Sequence, residues 1–141
     1  MYKSEQAKER DMRDMRNTIL IVTPDATEQR RLMKCLGPRN RVTWAARLDE
    51  AKAQIAQQQP DILLLEPDLP GGDGLDWVRQ LRHDPATRAM IIVCVTHRAT
   101  VRDKVAGFRA GVDDYIVQPV DLETFPYRLI LLTRIARIRQ P

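Results

Sequence analysis

Long hydrophobic runs, a cysteine framework and abundant aromatic residues are all missing from this sequence of 141 residues. No uninterrupted apolar stretch approaches the ~18 residues that a membrane-spanning helix needs, so we expect no membrane span. The two cysteines, Cys35 and Cys94, lie far apart in apolar segments, which indicates core positions and not a disulfide. Because the N-terminus lacks the apolar segment of a secretory signal, a cytoplasmic location is predicted.

The shortage of aromatic residues also limits what the basic charge of the chain can mean. The net charge is +4 and the pI is near 9.4, which raises the question of a nucleic-acid partner. Much of the excess lies between Leu122 and Pro141, where the sequence has four arginines and one acid. Aromatic residues make up only 5% of the chain and none is interleaved with those arginines, so the stacking platform of a single-strand binder is missing. We predict a solvated basic helix face and no nucleic-acid partner.

What the sequence does contain is a five-fold alternation of strand-like and helix-like segments. Five short apolar or β-branched runs predict strands: TILIV at 18–22, RVTWA at 41–45, DILLL at 61–65, IIVCV at 91–95 and DYIV at 114–117. Between and after them, apolar residues recur at helical spacing, in the sets Leu32/Cys35/Leu36, Leu48/Ala51/Ile55, Leu75/Val78/Leu81, Val101/Val105/Phe108 and Phe125/Leu129/Leu132. The pattern predicts (βα)5, an α/β fold in which helices cover both faces of a parallel sheet.

Ligands of such sheets bind outside the carboxyl ends of the strands. The candidate site residues at these ends are Thr23, Pro24 and Asp25 after the first strand, Glu66 after the third, Thr96 and His97 after the fourth, and Gln118 and Pro119 after the fifth. No spacing of cysteines and histidines suggests zinc, and the GGDG at 71–74 lacks the spacing of a phosphate-binding loop, so it is interpreted as a turn. We therefore predict no metal site and no cofactor.

The order of the motifs resembles the receiver domain of two-component response regulators over about residues 18–138. The resemblance is carried by ILIV in the first strand, PDILLLEPDLPGGDGLDWVRQLR around the third, Thr96 after the fourth, and GVDDYIVQP around the fifth. It implies a doubly wound five-stranded sheet of flavodoxin-like order 2-1-3-4-5, with a charged N-terminal extension at 1–17 and a receiver-like domain at 18–141. It also implies a cis peptide bond between Gln118 and Pro119.

The chemistry of that family, phosphoryl transfer from a histidine kinase to an aspartate, is expected to be lost here. In the family two acids hold Mg²⁺, an aspartate accepts the phosphoryl group, a Thr or Ser binds it, and a lysine neutralises it. Carried onto this sequence, Thr23 and Pro24 fall on the acidic pair, Glu66 on the acceptor, Thr96 on the Thr and Gln118 on the lysine. Pro24 offers Mg²⁺ no side-chain ligand and Gln118 brings no charge. The extra methylene of Glu66 displaces the attacking oxygen by about an ångström, which can cost ~10²-fold in rate.

Glu66 is thus predicted not to react, and two explanations of its role stay open. Either its charge permanently mimics the phosphorylated state near Thr96 and Gln118, or it is a relic that is hydrogen-bonded to local backbone. The predicted function is a phosphorylation-independent pseudo-receiver, alone or as the regulatory part of a larger response regulator. The alternatives are an active receiver with Glu66 or Asp68 as acceptor, and a small α/β enzyme that uses the same cleft, for which no nucleophile–base pair is evident.

A protein-contact surface is predicted on the fourth helix, fifth strand and fifth helix. The last helix has more apolar residues than one core face requires, which leaves Ile130, Leu131 and Ile138 for a partner. The resemblance implies coupling between Thr96 and this surface, and a possible homodimer through paired charges, although Arg109 stands where the family commonly has an acid. The residues assigned to the coupling and the surface are Tyr115, Lys104, Asp114, Arg128, Leu131 and Ile138. The predicted partner is a fused output domain, another protein or a second copy.

Overall fold

In a computed structural model of the protein, which describes residues 4–6 and 16–139, a five-stranded parallel sheet is covered by five helices. The strands are β1 (Thr18–Val22), β2 (Arg41–Ala45), β3 (Ile62–Leu65), β4 (Asp68–Leu69), β5 (Gly72–Asp73), β6 (Ile91–Thr96) and β7 (Asp114–Val117). The helices are α1 (Ala26–Leu36), α2 (Leu48–Gln57), α3 (Gly74–His83), α4 (Val101–Ala110) and α5 (Phe125–Arg139). None of the described helices is both long and apolar enough to cross a bilayer.

The order of the sheet is β2-β1-β3-β6-β7, and all its neighbouring strands are parallel. The strands β4 and β5 form a separate antiparallel hairpin, so β6 and β7 are the fourth and fifth strands of the main sheet. Counted in this way, the order is the predicted 2-1-3-4-5 of a doubly wound sheet. The prediction of fold class is therefore confirmed. Most of the extension predicted at 1–17 lies outside the described residues.

The three central strands are buried on both faces, as their uninterrupted apolar sequences predict. Alternate residues along each strand contribute to two separate clusters because successive side chains point to opposite sides of a sheet. One cluster joins Leu63 and Leu65 of β3 to residues of α2 and α3, and the other joins Ile62 and Leu64 to residues of α1 and α5. Burial also raises the pKa of the Cys94 thiol in β6 to about 12, which fits its predicted role as core filler.

The helix ends follow local chemistry that the sequence shows. The Asp25 carboxylate accepts from two backbone N–H groups at the start of α1, and Asp73 does the same at the start of α3. At the end of α4, Gly111 has φ of 118°, a left-handed conformation that favours glycine. The GGDG segment is a turn only in part: Pro70 and Gly71 form the turn of the β4–β5 hairpin, whereas Gly72 and Asp73 form β5, and α3 begins directly after them at Gly74.

One apolar stripe and one predicted core cysteine are more exposed than the sequence indicates. The stripe of Val101, Val105 and Phe108 on α4 is exposed, and the helix buries Gly107 and Ala110 instead. The reason is the close approach of α4 to β7: a Cβ built on Gly107 would lie 2.9 Å from the ring of Tyr115, so small residues must line the contact. Cys35 is only half-buried, with its Sγ 3.5 Å from the carbonyl oxygen of Leu122.

A largely buried arginine ties the end of α3 to the start of β6 and the turn before β7. The Arg82 guanidinium donates to the carbonyl of Gly111 at 2.8 Å, to the carbonyls of Arg88 and Met90, and to the Asp113 carboxylate at 2.8 Å. The same Asp113 oxygen accepts from the backbone N–H of Ile92 at 2.9 Å. The side chains of Arg82 and Asp113 are only 17% and 14% exposed. If Arg82 were substituted, water could therefore replace few of the lost hydrogen bonds.

We expect Arg82→Ala to lower the free energy of unfolding by about 3 kcal/mol, because it removes a largely buried ion pair with Asp113 and the side-chain donor to three backbone carbonyl groups. Urea denaturation followed by circular dichroism measures the loss. The matched control is Arg79→Ala on the same helix, whose exposed ion pair with Asp76 should contribute less than about 0.5 kcal/mol. Equal effects of the two substitutions would contradict the role assigned to Arg82.

Candidate functional site

The candidate site lies where the carboxyl ends of four neighbouring strands meet. Strand register places Val22 beside Leu65, and Leu65 beside Cys94, so the residues that follow β1, β3 and β6 are close together. Among the predicted site residues, Thr23, Thr96 and Gln118 are 3%, 1% and 8% exposed, and Glu66 is half-buried. Pro24, Asp25 and His97 are exposed at the rim of the same cleft.

Glu66 is held toward β1. One of its carboxylate oxygens accepts a hydrogen bond from the Thr23 hydroxyl at 2.9 Å. Burial raises the pKa of the Glu66 carboxyl, whereas the Thr23 hydrogen bond and the nearby His97 oppose that shift. The carboxylates of Asp68 and Asp25 raise the pKa further. The surroundings of Glu66, at the acceptor position, thus stabilise its charged form less well than water does.

The residues after β1 are a poor fit for Mg²⁺. Pro24 offers no ligand, and the Thr23 hydroxyl is engaged by Glu66 and by the backbone N–H of Asp25. One oxygen of the Asp25 carboxylate accepts from the first N–H groups of α1, at 2.9 and 3.2 Å. A divalent cation would have to compete with a helix cap for the one carboxylate on this loop, and Mg²⁺ demands near-octahedral oxygen ligands.

The opposite side of the cleft is formed by Thr96 and Gln118. The backbone N–H of Gln118 donates to the Thr96 carbonyl at 2.8 Å, and the Gln118–Pro119 peptide bond is cis, as predicted. The Gln118 side-chain nitrogen is buried and has no hydrogen-bond partner among the described residues. The Thr96 hydroxyl accepts from the backbone N–H of Arg98 at 3.2 Å. Thr96 and Gln118 therefore lie together in the cleft, but no hydrogen bond within the described residues joins either side chain to Glu66.

Sequence reasoning missed Arg98, which joins two loops of the site. Its guanidinium makes two hydrogen bonds of 2.8 Å to the two oxygens of Asp68. The Arg98 carbonyl accepts from the Tyr115 hydroxyl at 2.8 Å, which connects this ion pair to β7. The sequence could have indicated this pair. Asp68 lies two residues after Glu66, Arg98 lies two residues after Thr96, and the strands that they follow, β3 and β6, are adjacent.

The predicted contact residues lie on α4, β7 and α5, as expected from their positions in the sequence. Asp114 of β7 pairs with Arg128 of α5 through two hydrogen bonds of 2.9 and 3.0 Å. Lys104 is exposed on α4, and Leu131 and Ile138 of α5 are 57% and 83% exposed. Ile130 is half-buried. The apolar surplus of the last helix is therefore at the surface.

Comparison with known proteins agrees with this geometry. Residues 19–129 match the family described as the response regulator receiver domain. The chain belongs to that family. The receiver domain is 33% identical over 117 residues to the two-component response regulator PhoP of Pseudomonas aeruginosa, and 36% identical over 107 residues to the protein PilH of the same species. The structure of a response regulator from Chloroflexus aurantiacus superimposes with a TM-score of 0.80 at 33% identity, over 85% of this chain and 99% of that one.

The relatives differ in how much of their length the receiver domain accounts for. The match covers 82% of this chain but 51% of PhoP, and 75% of this chain but 88% of PilH. This chain therefore spans about half of PhoP and most of PilH. Relatives of both lengths share the fold, so the fold alone does not specify an output.

Removal of the Glu66 charge should stabilise the domain at neutral pH. A carboxyl whose pKa is raised by folding contributes stability at low pH that is lost as pH rises through the folded pKa. Glu66→Gln keeps an acceptor for Thr23 without the charge, so its melting temperature should exceed that of the parent at pH 7, by a margin that shrinks toward acidic pH. Thermal melts across that range test it, with the exposed Glu123→Gln as control. A variant less stable than the parent at pH 7 would show that the site compensates the charge.

Proposed function

We propose that this receiver domain regulates through protein contacts without accepting a phosphoryl group. The observation that carries the proposal is the use of the acid after β1: Asp25 caps α1, and the neighbouring Thr23 hydroxyl is hydrogen-bonded to Glu66. Transfer to a carboxylate needs a cation to bridge the oxygens and donors where charge collects. The loop after β1 offers a divalent cation little, and Gln118 offers no positive charge at the other side.

The alternative acceptors are both disfavoured by their contacts. Both oxygens of Asp68 are hydrogen-bonded to Arg98, so attack by Asp68 would require this ion pair to open. One carboxylate oxygen of Glu66 accepts a hydrogen bond from Thr23, and the Glu66 side chain is longer than that of the family's aspartate. Of the two explanations of Glu66, the hydrogen bond to Thr23 favours a local role, because a mimic of the phosphorylated state would be expected to engage Thr96. The partner is the Thr23 hydroxyl, however, and not the backbone that the second explanation predicted.

The contact surface of the proposed module is apolar. Exposed large apolar side chains on α4 and α5 are Val101, Val105, Phe108, Tyr127, Leu131, Ile135 and Ile138. Asp114 and Arg128 already pair with each other inside the chain, so they are less available for the charge pairs of a family-type dimer. Buried apolar anchors supply most of the affinity of an interface, while charges at its rim mainly set specificity and rate. We infer a contact that depends on the α5 side chains more than on Lys104.

The partner is either a second copy, a separate protein or an output domain in the same polypeptide. Some relatives are described as transcriptional regulators and extend well beyond the matched region. In PhoB of Rhizobium meliloti, the match covers 39% of the protein's length. PilH instead consists mostly of the matched region. Both arrangements fit an apolar surface on α4, β7 and α5.

Phosphorylation is tested directly by incubation with acetyl phosphate and Mg²⁺, read by intact mass. No adduct of one phosphoryl group is expected on the parent. None is expected on Glu66→Asp, because that substitution restores neither the metal ligands nor the cation at position 118. An adduct on the parent protein would refute the proposal, and an adduct on Glu66→Asp alone would show that the added methylene is the main defect.

The contact surface is tested by Leu131→Glu, which places a charge on an exposed apolar position and should leave the core intact. We expect self-association or partner binding to weaken by at least about fivefold, since truncation of an interface anchor typically costs more than 1 kcal/mol. Analytical ultracentrifugation measures the association and circular dichroism confirms the fold. Glu66→Gln is the control and should have a much smaller effect. Unchanged association of a folded Leu131→Glu variant would place the interface on another face.

A further inference from the structure

A basic cavity lies at the amino-terminal edge of the sheet, at the opposite end from Glu66. It has a volume of about 470 Å³ and is lined by Arg16, Asn17, Thr18, Pro38, Arg39, Asn40 and Arg41. This volume is within the ~300–1,000 Å³ of typical small-molecule sites. Three arginines thus line one concave surface, which is called the basic cavity below.

The walls of the basic cavity are fixed by backbone pairing and by one asparagine. The N–H of Arg41 donates to the Asn17 carbonyl at 2.9 Å, which continues the β1–β2 ladder to the mouth of the cavity. The Asn40 side chain accepts from the Asn17 N–H at 3.1 Å and donates to the Leu36 carbonyl at 3.0 Å. The connection between α1 and β2 is therefore held against the start of β1, and the arginines are presented by an ordered frame.

The three arginines have no ion pair among the described residues, whereas Arg31, Arg47, Arg82, Arg98 and Arg128 all have one. The Asp61 carboxylate accepts hydrogen bonds from Thr18 and forms no salt bridge with these three arginines. The C-terminus of α1 does not need Arg39 as a cap, because the Leu36 carbonyl already accepts from the Arg39 backbone N–H and from Asn40. The three side chains are exposed and an arginine does not lose its proton in proteins, so the cavity keeps its positive charge and a bound anion would lower the mutual repulsion of the three.

We propose that the basic cavity is a binding site for a small multivalent oxyanion of the pyrophosphate type. Guanidinium groups bind phosphate oxygens through paired N–H donors, and three of them match a ligand with more than one anionic centre. Among the residues that the structure describes, no aromatic side chain lines the cavity, so none of them offers a surface on which a nucleobase would stack. The site is separate from the cleft around Glu66 and does not depend on the function proposed for it.

The test is an amide NMR titration of the full chain with pyrophosphate at constant ionic strength. Saturable shifts are expected at residues 16–18 and 39–41, with none at Thr23, Asp25, Glu66 or Asp68. Arg39→Gln and Arg41→Gln should each weaken binding by at least about tenfold, as expected for loss of a charge-assisted hydrogen-bonding group. Arg30→Gln is the matched control, because it removes an exposed arginine of α1 that does not line the cavity, and it should change the affinity less than about twofold.

Three outcomes would overturn the proposal. One is the absence of saturable shifts at millimolar pyrophosphate. Another is an equal loss of affinity in Arg30→Gln, which would indicate attraction to the net charge of the protein alone. The third is a much tighter complex with ADP than with pyrophosphate, which would assign the recognition to a base and not to the oxyanion. Circular dichroism of each variant separates loss of binding from loss of fold.

Discussion

Burial of the central strands on both faces is the constraint on which the rest of the structure depends. Strands β1, β3 and β6 are apolar at almost every position, so helices must cover both sides of the sheet. Parallel strands then require crossover connections, and these bring the loops after β1, β3, β6 and β7 to one edge. The cleft around Glu66 and the basic cavity at the other edge both result from this arrangement.

The frame of the cleft is distinct from the side chains that phosphoryl transfer would require. The frame needs only the strands and the close contacts between their ends, such as the Gln118–Thr96 backbone hydrogen bond. Phosphoryl transfer would also need charges at defined points, and two of the charged side chains there make local structural contacts. Asp25 caps a helix, and Arg98 pairs with Asp68. A receiver fold is thus compatible with a site whose polar groups mostly satisfy one another.

The contact between Tyr115 and Gly107 connects the cleft to the apolar surface. Tyr115 donates to the Arg98 carbonyl at one end, and its ring packs beneath α4 and 6.3 Å from the ring of Phe108. Because α4 approaches β7 so closely at Gly107, its larger apolar residues point outward. The same packing therefore sets the position of the loop after β6 and exposes the side chains of α4 that a partner can contact.

The sequence alone determined the fold, because its strand and helix periods, capping residues and turn glycines all agree. It also indicated most of the residues that reach the cleft, though not Arg98, since the ends of parallel strands meet wherever the helices lie. Only the tertiary structure decided which polar groups pair there: the bond of Thr23 to Glu66, and of Arg98 to Asp68, depends on side-chain distances that periodicity does not contain. The tertiary structure also decided which face of α4 points outward. Helical spacing identifies the stripe of large apolar residues, but it does not show that β7 approaches α4 too closely for that stripe to face the sheet.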